Sequence, residues 1–299
     1  MPLWIVWTLL TLVSWGIWAI LSKLIGGGIS DAHIQVISTV GIVPVLVALF
    51  AVKDSATTGN RRRGILLALG SGIISCLGNI AFYSVLNRGA KAAAVIPVTD
   101  LYPAVTVLLA VPLLNERLNR LQWAGIGLSL FAIYLFHVSQ EQGLVSEWLL
   151  LALVPIVLWG ICGLMQKMST NHISGRTSAI WFLLAFLPVA ASIKFFYPLP
   201  AGIPLRTWGL ATAVGFTLAL GNLTILLAFA SGGKASIIAP LAGLYPLVSI
   251  PIALAVFGET LGPRESLGIV LALAAVVLLS FQSEPDGASG ATVETDSPS

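Results

Sequence analysis

Ten apolar runs, each about as long as a bilayer is thick, follow one another along the chain with short polar breaks between them. A helix rises about 1.5 Å per residue and needs about 20 apolar residues to cross the hydrocarbon. Runs of that kind cover 3–25, 32–52, 64–86, 92–112 and 120–138, then 146–168, 177–197, 207–230, 235–256 and 263–281. The pattern predicts an all-α polytopic membrane protein with ten transmembrane helices. The breaks at Gly89-Ala90-Lys91 and Ser231-Gly232-Gly233-Lys234 are so short that successive helices must be antiparallel neighbours. Two polar stretches stand apart: the loop from Lys53 to Arg63, and the acidic, Ser/Gly-rich end from Glu284 to Ser299, which has nothing to bury and is expected to be disordered.

The ten runs form two matching sets of five. KAAAVIPVTDLYPAV, from Lys91 to Val105, returns as KASIIAPLAGLYPLV, from Lys234 to Val248. Lys91 aligns with Lys234, Pro97 with Pro240, Leu101 with Leu244, Tyr102 with Tyr245 and Pro103 with Pro246, all 143 residues apart. Gly78-Asn79 and Gly221-Asn222, Glu116 and Glu259, and Gly125 and Gly268 keep that spacing. Upstream it becomes 144, pairing Trp15-Gly16 with Trp159-Gly160, Lys23 with Lys167 and Pro44 with Pro188, so one inserted residue accounts for the change. The expected units are a first five-helix repeat at 1–139, a second at 145–282 and a cytoplasmic tail at 283–299. Five is odd, so the second copy enters the membrane from the opposite side. The halves are then inverted-topology repeats, an arrangement associated with alternating-access transport.

Composition agrees and removes competitors. Of 299 residues 57% are hydrophobic and 9% charged, against about 25% charged in a soluble domain. The net charge of +3 is small and scattered, which does not suggest nucleic-acid binding. Cys76 and Cys162 lie inside apolar runs, with neither a disulfide framework nor a metal-site spacing. The first run is too long for a signal peptide and lacks a cleavage motif, so it reads as a retained helix. Lys53, Arg61, Arg62, Arg63, Arg117, Arg120, Lys167, Arg176 and Lys234 fall on the face that holds both termini, against six basic residues opposite. The positive-inside rule then places both termini in the cytoplasm.

Several ordered motifs carry a resemblance. The W-G-x7-K pattern at Trp15, Gly16 and Lys23, the duplicated P-x3-L-Y-P element and N-E-R-L-x3-Q-W-x-G from Asn115 to Gly125 resemble the EamA-type drug/metabolite transporters. So does F-G-E-T-L-G-P-x4-G from Phe257 to Gly268, and the resemblance extends to about Gln282. It implies ten helices as a five-plus-five inverted repeat, cytoplasmic termini and a central substrate cavity. Transporters of this superfamily move amino acids, drugs, sugars, nucleotide sugars or sugar phosphates, so no single substrate follows. Asp100 stands opposite Gly243 in the other copy, and its role is not inherited from the shared element.

Asp100 lies near the middle of its span, where a carboxylate costs at least about 2.5–3.5 kcal/mol unless it meets water or a partner. Three roles fit: binding a substrate amine, titrating as a proton-coupling site, or hydrogen-bonding substrate hydroxyls. A structural aspartate bonded to Asn79 or to a freed backbone group is the alternative. Pro97, Pro103, Pro240 and Pro246 each remove a backbone donor, and kinked helices at paired positions read either as gating hinges or as fixed packing kinks. Pro44 and Pro188 carry the same argument more weakly.

Thr8, Thr11, Trp15, Trp18, Ala19 and Ser22 share one face of the first helix, and Trp159, Cys162, Gly163 and Gln166 repeat that face in the sixth. Such a face points inward, with the indoles either stacking on substrate or filling core space. Tyr102 and Tyr245 of the shared element join them as candidate contacts. Asn79 and Asn222 either bond substrate or link helices. Lys23 and Lys167 are read as snorkelling to the headgroups or lining a gate, and Glu116 and Glu259 as joining each kinked helix to the next. Trp4, Trp123, Trp148 and Trp208 sit near span ends as interface anchors.

His33, His137 and His172 are isolated, so no metal and no cofactor are expected, and no nucleophile–base set argues for an enzyme. No fixed Lys or Arg lies near the core centre, which disfavours phosphorylated substrates. The expectation is a secondary transporter in a bacterial inner membrane, moving a neutral or zwitterionic organic metabolite such as an amino acid or drug-like solute. Export fits the resemblance better than uptake, and proton coupling through Asp100 is one of its options. A sugar or polyol carrier is the alternative, with an intramembrane enzyme or a scaffold further off. The oligomeric state is left open.

Overall fold

The structure, a computed structural model, describes residues 2–51, 59–88, 90–115, 117–138 and 147–281, with the side chains of 136–138 excepted. Glu116, most of the Lys53–Arg63 loop and the tail beyond Phe281 lie outside the described residues. The first repeat comprises α1 (Leu3–Ile25), α2 (Asp31–Ala51), α3 (Arg61–Asn87), α4 (Ala92–Thr99), α5 (Tyr102–Leu114) and α6 (Arg120–Val138). The second comprises α7 (Glu147–Thr170), α8 (Gly175–Leu184), α9 (Phe186–Phe196), α10 (Leu205–Ala230), α11 (Ala235–Ala242), α12 (Pro246–Phe257) and α13 (Pro263–Ser280). Spans four, seven and nine are each two half-helices, so the thirteen helices make ten spans in two inverted sets of five. Nine have the length and composition to cross a bilayer among the described residues. The tenth, α6, ends in side chains that are not described and packs against α13.

The outward faces are as apolar as the interior. Phe50, Leu66, Leu130 and Phe195 are all more than half exposed, which in water would be a liability and in lipid matches the solvent. The sorting force inside is packing instead, so helices meet where small residues let backbones approach. A Cβ on Gly41 would run into the backbone of Thr212 and Phe216, and one on Gly215 into Ser38. These two glycines fix the crossing of α2 with α10.

The two repeats interlock rather than sit side by side. α1 packs on α10, and α3 on α7. Trp15 lies against Gly221 of the other repeat, and Trp159 against Gly78. Gly16 meets Val248 and the Tyr245 carbonyl, while Gly160 meets Val105 and the Tyr102 carbonyl. Every contact in this set recurs with the repeats exchanged, as an inverted duplication requires.

The paired prolines do more than kink their helices. Pro103 and Pro246 open new half-helices, in the first turn where a missing N–H is no loss. The chain turns instead at Asp100-Leu101 and at Gly243-Leu244-Tyr245. There it uses three-residue bonds such as Leu101 N–H to Val98 O at 3.1 Å and Leu244 N–H to Leu241 O at 3.2 Å. Pro44 and Pro188 differ: Pro44 sits inside unbroken α2, whereas Pro188 lies in the first turn of α9, just after the break at Ala185.

Gly215→Ala is expected to destabilise by about 1–3 kcal/mol, the usual cost of overpacking, because the added methyl meets backbone that cannot swing aside. Gly209→Ala, on the same helix with nothing near its Cβ, should be neutral or mildly stabilising. Thermal unfolding in detergent separates the two.

Candidate functional site

A cavity lies between the repeats. α1 contributes Trp15 and Trp18, α3 contributes Ser75 and Asn79, and Tyr102 enters from the start of α5. The second repeat supplies Trp159, Cys162, Gly163 and Gln166 from α7, Leu218, Asn222 and Ile225 from α10, Ala239 from α11 and Tyr245 from the break before α12. Eight of the nine substrate-binding candidates therefore meet on one wall. Ser75, Leu218, Ile225 and Ala239 were missed, although the first three each sit one helical turn from Asn79 or Asn222 and so share its face.

The aromatic groups form a cage held edge to face. Trp159 meets Tyr102 with ring centroids 6.2 Å apart at 87°, and Trp15 meets Tyr245 at 6.2 Å and 83°. These are the same contact made once by each repeat. Trp15 also touches Tyr102 at 6.3 Å, and Trp18 touches Trp159 at 5.7 Å. Trp18 has no partner in the second copy, where Cys162 stands. It stacks on Phe82 at 4.8 Å and donates from Nε1 to Tyr83 Oη at 3.4 Å, so one end of the cage is more aromatic than the other.

The asparagine pair has also diverged. Asn222 Nδ2 donates to Leu218 O at 2.9 Å, and its Oδ1 accepts from Gln166 Nε2 at 3.1 Å. In the first repeat the place of Gln166 is taken by Ser22, which turns back to the Trp18 carbonyl. Asn79 Nδ2 is buried without a partner, as are Trp15 Nε1, Tyr102 Oη and Tyr245 Oη. Unpaired polar groups in a buried site are costly, and several converging on one cavity mark a place where a ligand would complete them.

Asp100 is the candidate that does not line the cavity. It sits in the break between α4 and α5 at 1% exposure, with Oδ1 unpartnered and no bond to Asn79. It lies within electrostatic reach of Tyr102 and Tyr245, which both line the cavity. Pro97, Pro103, Pro240 and Pro246 flank the two breaks. Lys23 donates to Ala90 O at 2.7 Å and Lys167 to Phe229 O at 3.4 Å, so each amine bonds a carbonyl in the protein rather than reaching for headgroups. Glu259 does not join its own helix to the next. It reaches across to α4 of the other repeat.

Two inverted sets of membrane helices closed around a central aromatic cavity define a multi-pass membrane protein of transporter architecture. The chain belongs to the EamA-like transporter family, whose model matches residues 2–138 and again 146–281, within the drug/metabolite transporter superfamily. An uncharacterized protein of Methanocaldococcus jannaschii is 32% identical over 104 residues, covering 35% of this chain and 74% of the relative. Protein RarD of Streptomyces exfoliatus is 26% identical over 232 residues, covering 75% of this chain and 70% of its own. A solved crystal structure superposes with a TM-score of 0.67 at 16% identity, over 92% of this chain and 98% of the other, a likeness of fold. The family consists of membrane transporters rather than enzymes, which implies a small-molecule substrate and a bilayer as surroundings.

Gln166→Leu strips the donor from buried Asn222 Oδ1 and should cost about 1–3 kcal/mol. Asn79→Leu removes an amide that is already unpaired and should leave stability level or raised. Melting curves of the two purified variants would show the contrast.

Proposed function

We propose that this chain is a secondary transporter for a small neutral or zwitterionic organic solute, with amino acids and drug-like molecules the first classes to try and export the direction. The observation that carries this reading is the lining itself. Among the described residues it holds no Lys, Arg, Asp or Glu, yet it presents the unpaired groups Asn79 Nδ2, Trp15 Nε1, Tyr102 Oη and Tyr245 Oη inside a cage of indoles. A phosphate or nucleotide would find no countercharge there. An aromatic or aliphatic body fits the rings, and its oxygens would meet the free donors.

The broken spans supply the motion. α4 packs on α12 toward the face opposite the termini, and α5 packs on α11 toward the face that holds them. Each broken span thus gives one half-helix to each end of the cavity. Rocking one repeat against the other about the breaks at Asp100-Leu101 and Gly243-Tyr245 parts one pair while the other stays shut. The prolines beside the breaks keep them from healing into continuous helix. The setting is a bacterial inner membrane with both termini in the cytoplasm.

Asp100 acts in this scheme through Tyr102 and Tyr245, holding a proton or orienting the two phenols toward the solute. A sugar or polyol is the second reading, favoured by the same four unpaired groups, since each could bond a hydroxyl.

Reconstituted protein should move at least one solute from a panel of amino acids, aromatic amines and polyols, with pH-dependent flux. Asp100→Asn should lower that flux about tenfold or more and flatten its pH profile while leaving the folded yield unchanged. Flux indifferent to Asp100→Asn removes the aspartate from the mechanism, and a panel in which nothing moves counts against the transport assignment as a whole.

A further inference from the structure

The face opposite the termini, called distal below, is closed by charged groups that reach from one repeat to the other. Glu259 stands in the link between α12 and α13, in the second repeat. Its Oε1 accepts from Ala92 N–H and its Oε2 from Ala93 N–H, both at 2.8 Å. Those are the first two residues of α4, in the first repeat. The N–H groups of a helix's first turn have no partner within the helix, and the helix dipole adds positive potential there. One carboxylate answers both needs.

Beside it, Lys91 Nζ donates to Glu265 Oε1 at 3.0 Å and Oε2 at 2.8 Å, with the Glu265 side chain only 13% exposed. Glu265 is held in turn by Gly262 N–H at 2.8 Å. Lys23 fastens the Ala90 carbonyl just before α4. The bonds of Glu259, Lys91 and Lys23 all converge on the first residues of α4 or the segment leading into it.

The opposite end is built differently at one of these positions. The counterpart of Glu265 is Gln122, whose Nε2 donates to the Ser236 and Leu279 carbonyls at 3.4 and 3.2 Å. Lys91 thus has a carboxylate partner at a position where the other repeat carries a neutral amide. α4 and α12 are the half-helices that cover the distal end of the cavity, and Glu259 ties the N-terminus of one to the C-terminal link of the other.

We propose that Glu259 is the latch of the distal gate, and that the Lys91–Glu265 ion pair braces it, so that opening toward the distal face requires the Glu259 carboxylate to leave the α4 N-terminus. Opening toward the face of the termini leaves both in place. The consequence for transport rests on the alternating-access reading above, whereas the latch itself is a statement about which face of the cavity opens.

The chain carries its own reporter. Cys162 lines the cavity, and Cys76 is the one other cysteine. In a Cys76→Ala background, a membrane-impermeant maleimide added to vesicles of each orientation reads access to Cys162 from each face separately. Glu259→Ala and Glu259→Gln should speed labelling from the distal face about tenfold, the scale of one charge-assisted hydrogen bond lost. Labelling from the other face should stay level or slow down. Glu265→Gln should give a smaller change of the same sign, and Cys162→Ser should abolish the signal. Glu259→Gln keeps the size of the side chain and serves if Glu259→Ala fails to fold. Unchanged distal labelling in a Glu259 variant overturns the latch, as does an equal rise from both faces, which would mean general loosening. Parental Cys162 that is labelled from neither face overturns the alternating-access reading instead, and because labelling needs no solute the two failures are told apart.

Discussion

Hydrocarbon offers a backbone no hydrogen bonds, so any interruption of a membrane helix has to be covered by protein or line a wet cavity. This chain interrupts spans four and nine at mid-depth, in addition to the break in span seven at Ala185. Pro97 has no N–H for the Ala93 carbonyl and Pro240 none for that of Ser236, whereas Pro103 and Pro246 fall in first turns. The chain answers with local turns, Asp100 N–H reaching Ile96 O at 3.0 Å and Gly243 N–H reaching Ala239 O at 2.9 Å. It also buries the breaks: from Ala92 to Ala104 every side chain is below 10% exposure. Neither repeat can cover its own break from all sides. Placing the two face to face, breaks innermost, satisfies both at once and leaves the cavity at their meeting point.

The glycines follow from that arrangement. A broken span shields its turn only if the neighbouring repeat comes close, and Gly16, Gly78, Gly160 and Gly221 are where it does. Trp15 and Trp159 fill the room left by Gly221 and Gly78. The residues that hold the repeats together are in this way the same residues that line the cavity, and a change in the inter-repeat angle alters its shape directly.

Much of this could be read before any coordinates. The two-copy pattern located the inverted repeat, and the inward stripe of α1 with its echo in α7 located the cavity wall, because a helical face is a local property of sequence. Asp100 was harder. Depth in the membrane could be counted from the span, but whether a side chain in a broken segment meets the cavity depends on the turn, which periodicity does not describe. Glu259 was harder still: its partner is 167 residues away, and sequence proximity pointed to its own helix pair. Asn79 and Asn222 looked equivalent, yet Asn222 Nδ2 bonds the Leu218 carbonyl while Asn79 Nδ2 bonds nothing, a difference in side-chain placement that the shared Gly-Asn pair does not describe.

That last difference belongs to a wider pattern. The framework residues match between copies: the paired glycines, the prolines at the breaks, and Trp15 with Trp159. Several of the mismatches fall at or around the cavity and at its ends, as Trp18 against Cys162, Ser22 against Gln166, Phe82 against Ile225, Asp100 against Gly243 and Glu265 against Gln122. A strictly symmetric carrier would present a two-fold site to a solute that has no two-fold axis, and would hold its two ends shut with equal strength. In the proposed alternating-access scheme, matching the framework would preserve the rocking motion. Breaking the match at the wall would give the solute one preferred pose, and breaking it at the proposed gate would give the two closed ends different energies. In that scheme a change of cargo would act at positions such as these, where the copies already differ, and leave the matched framework alone.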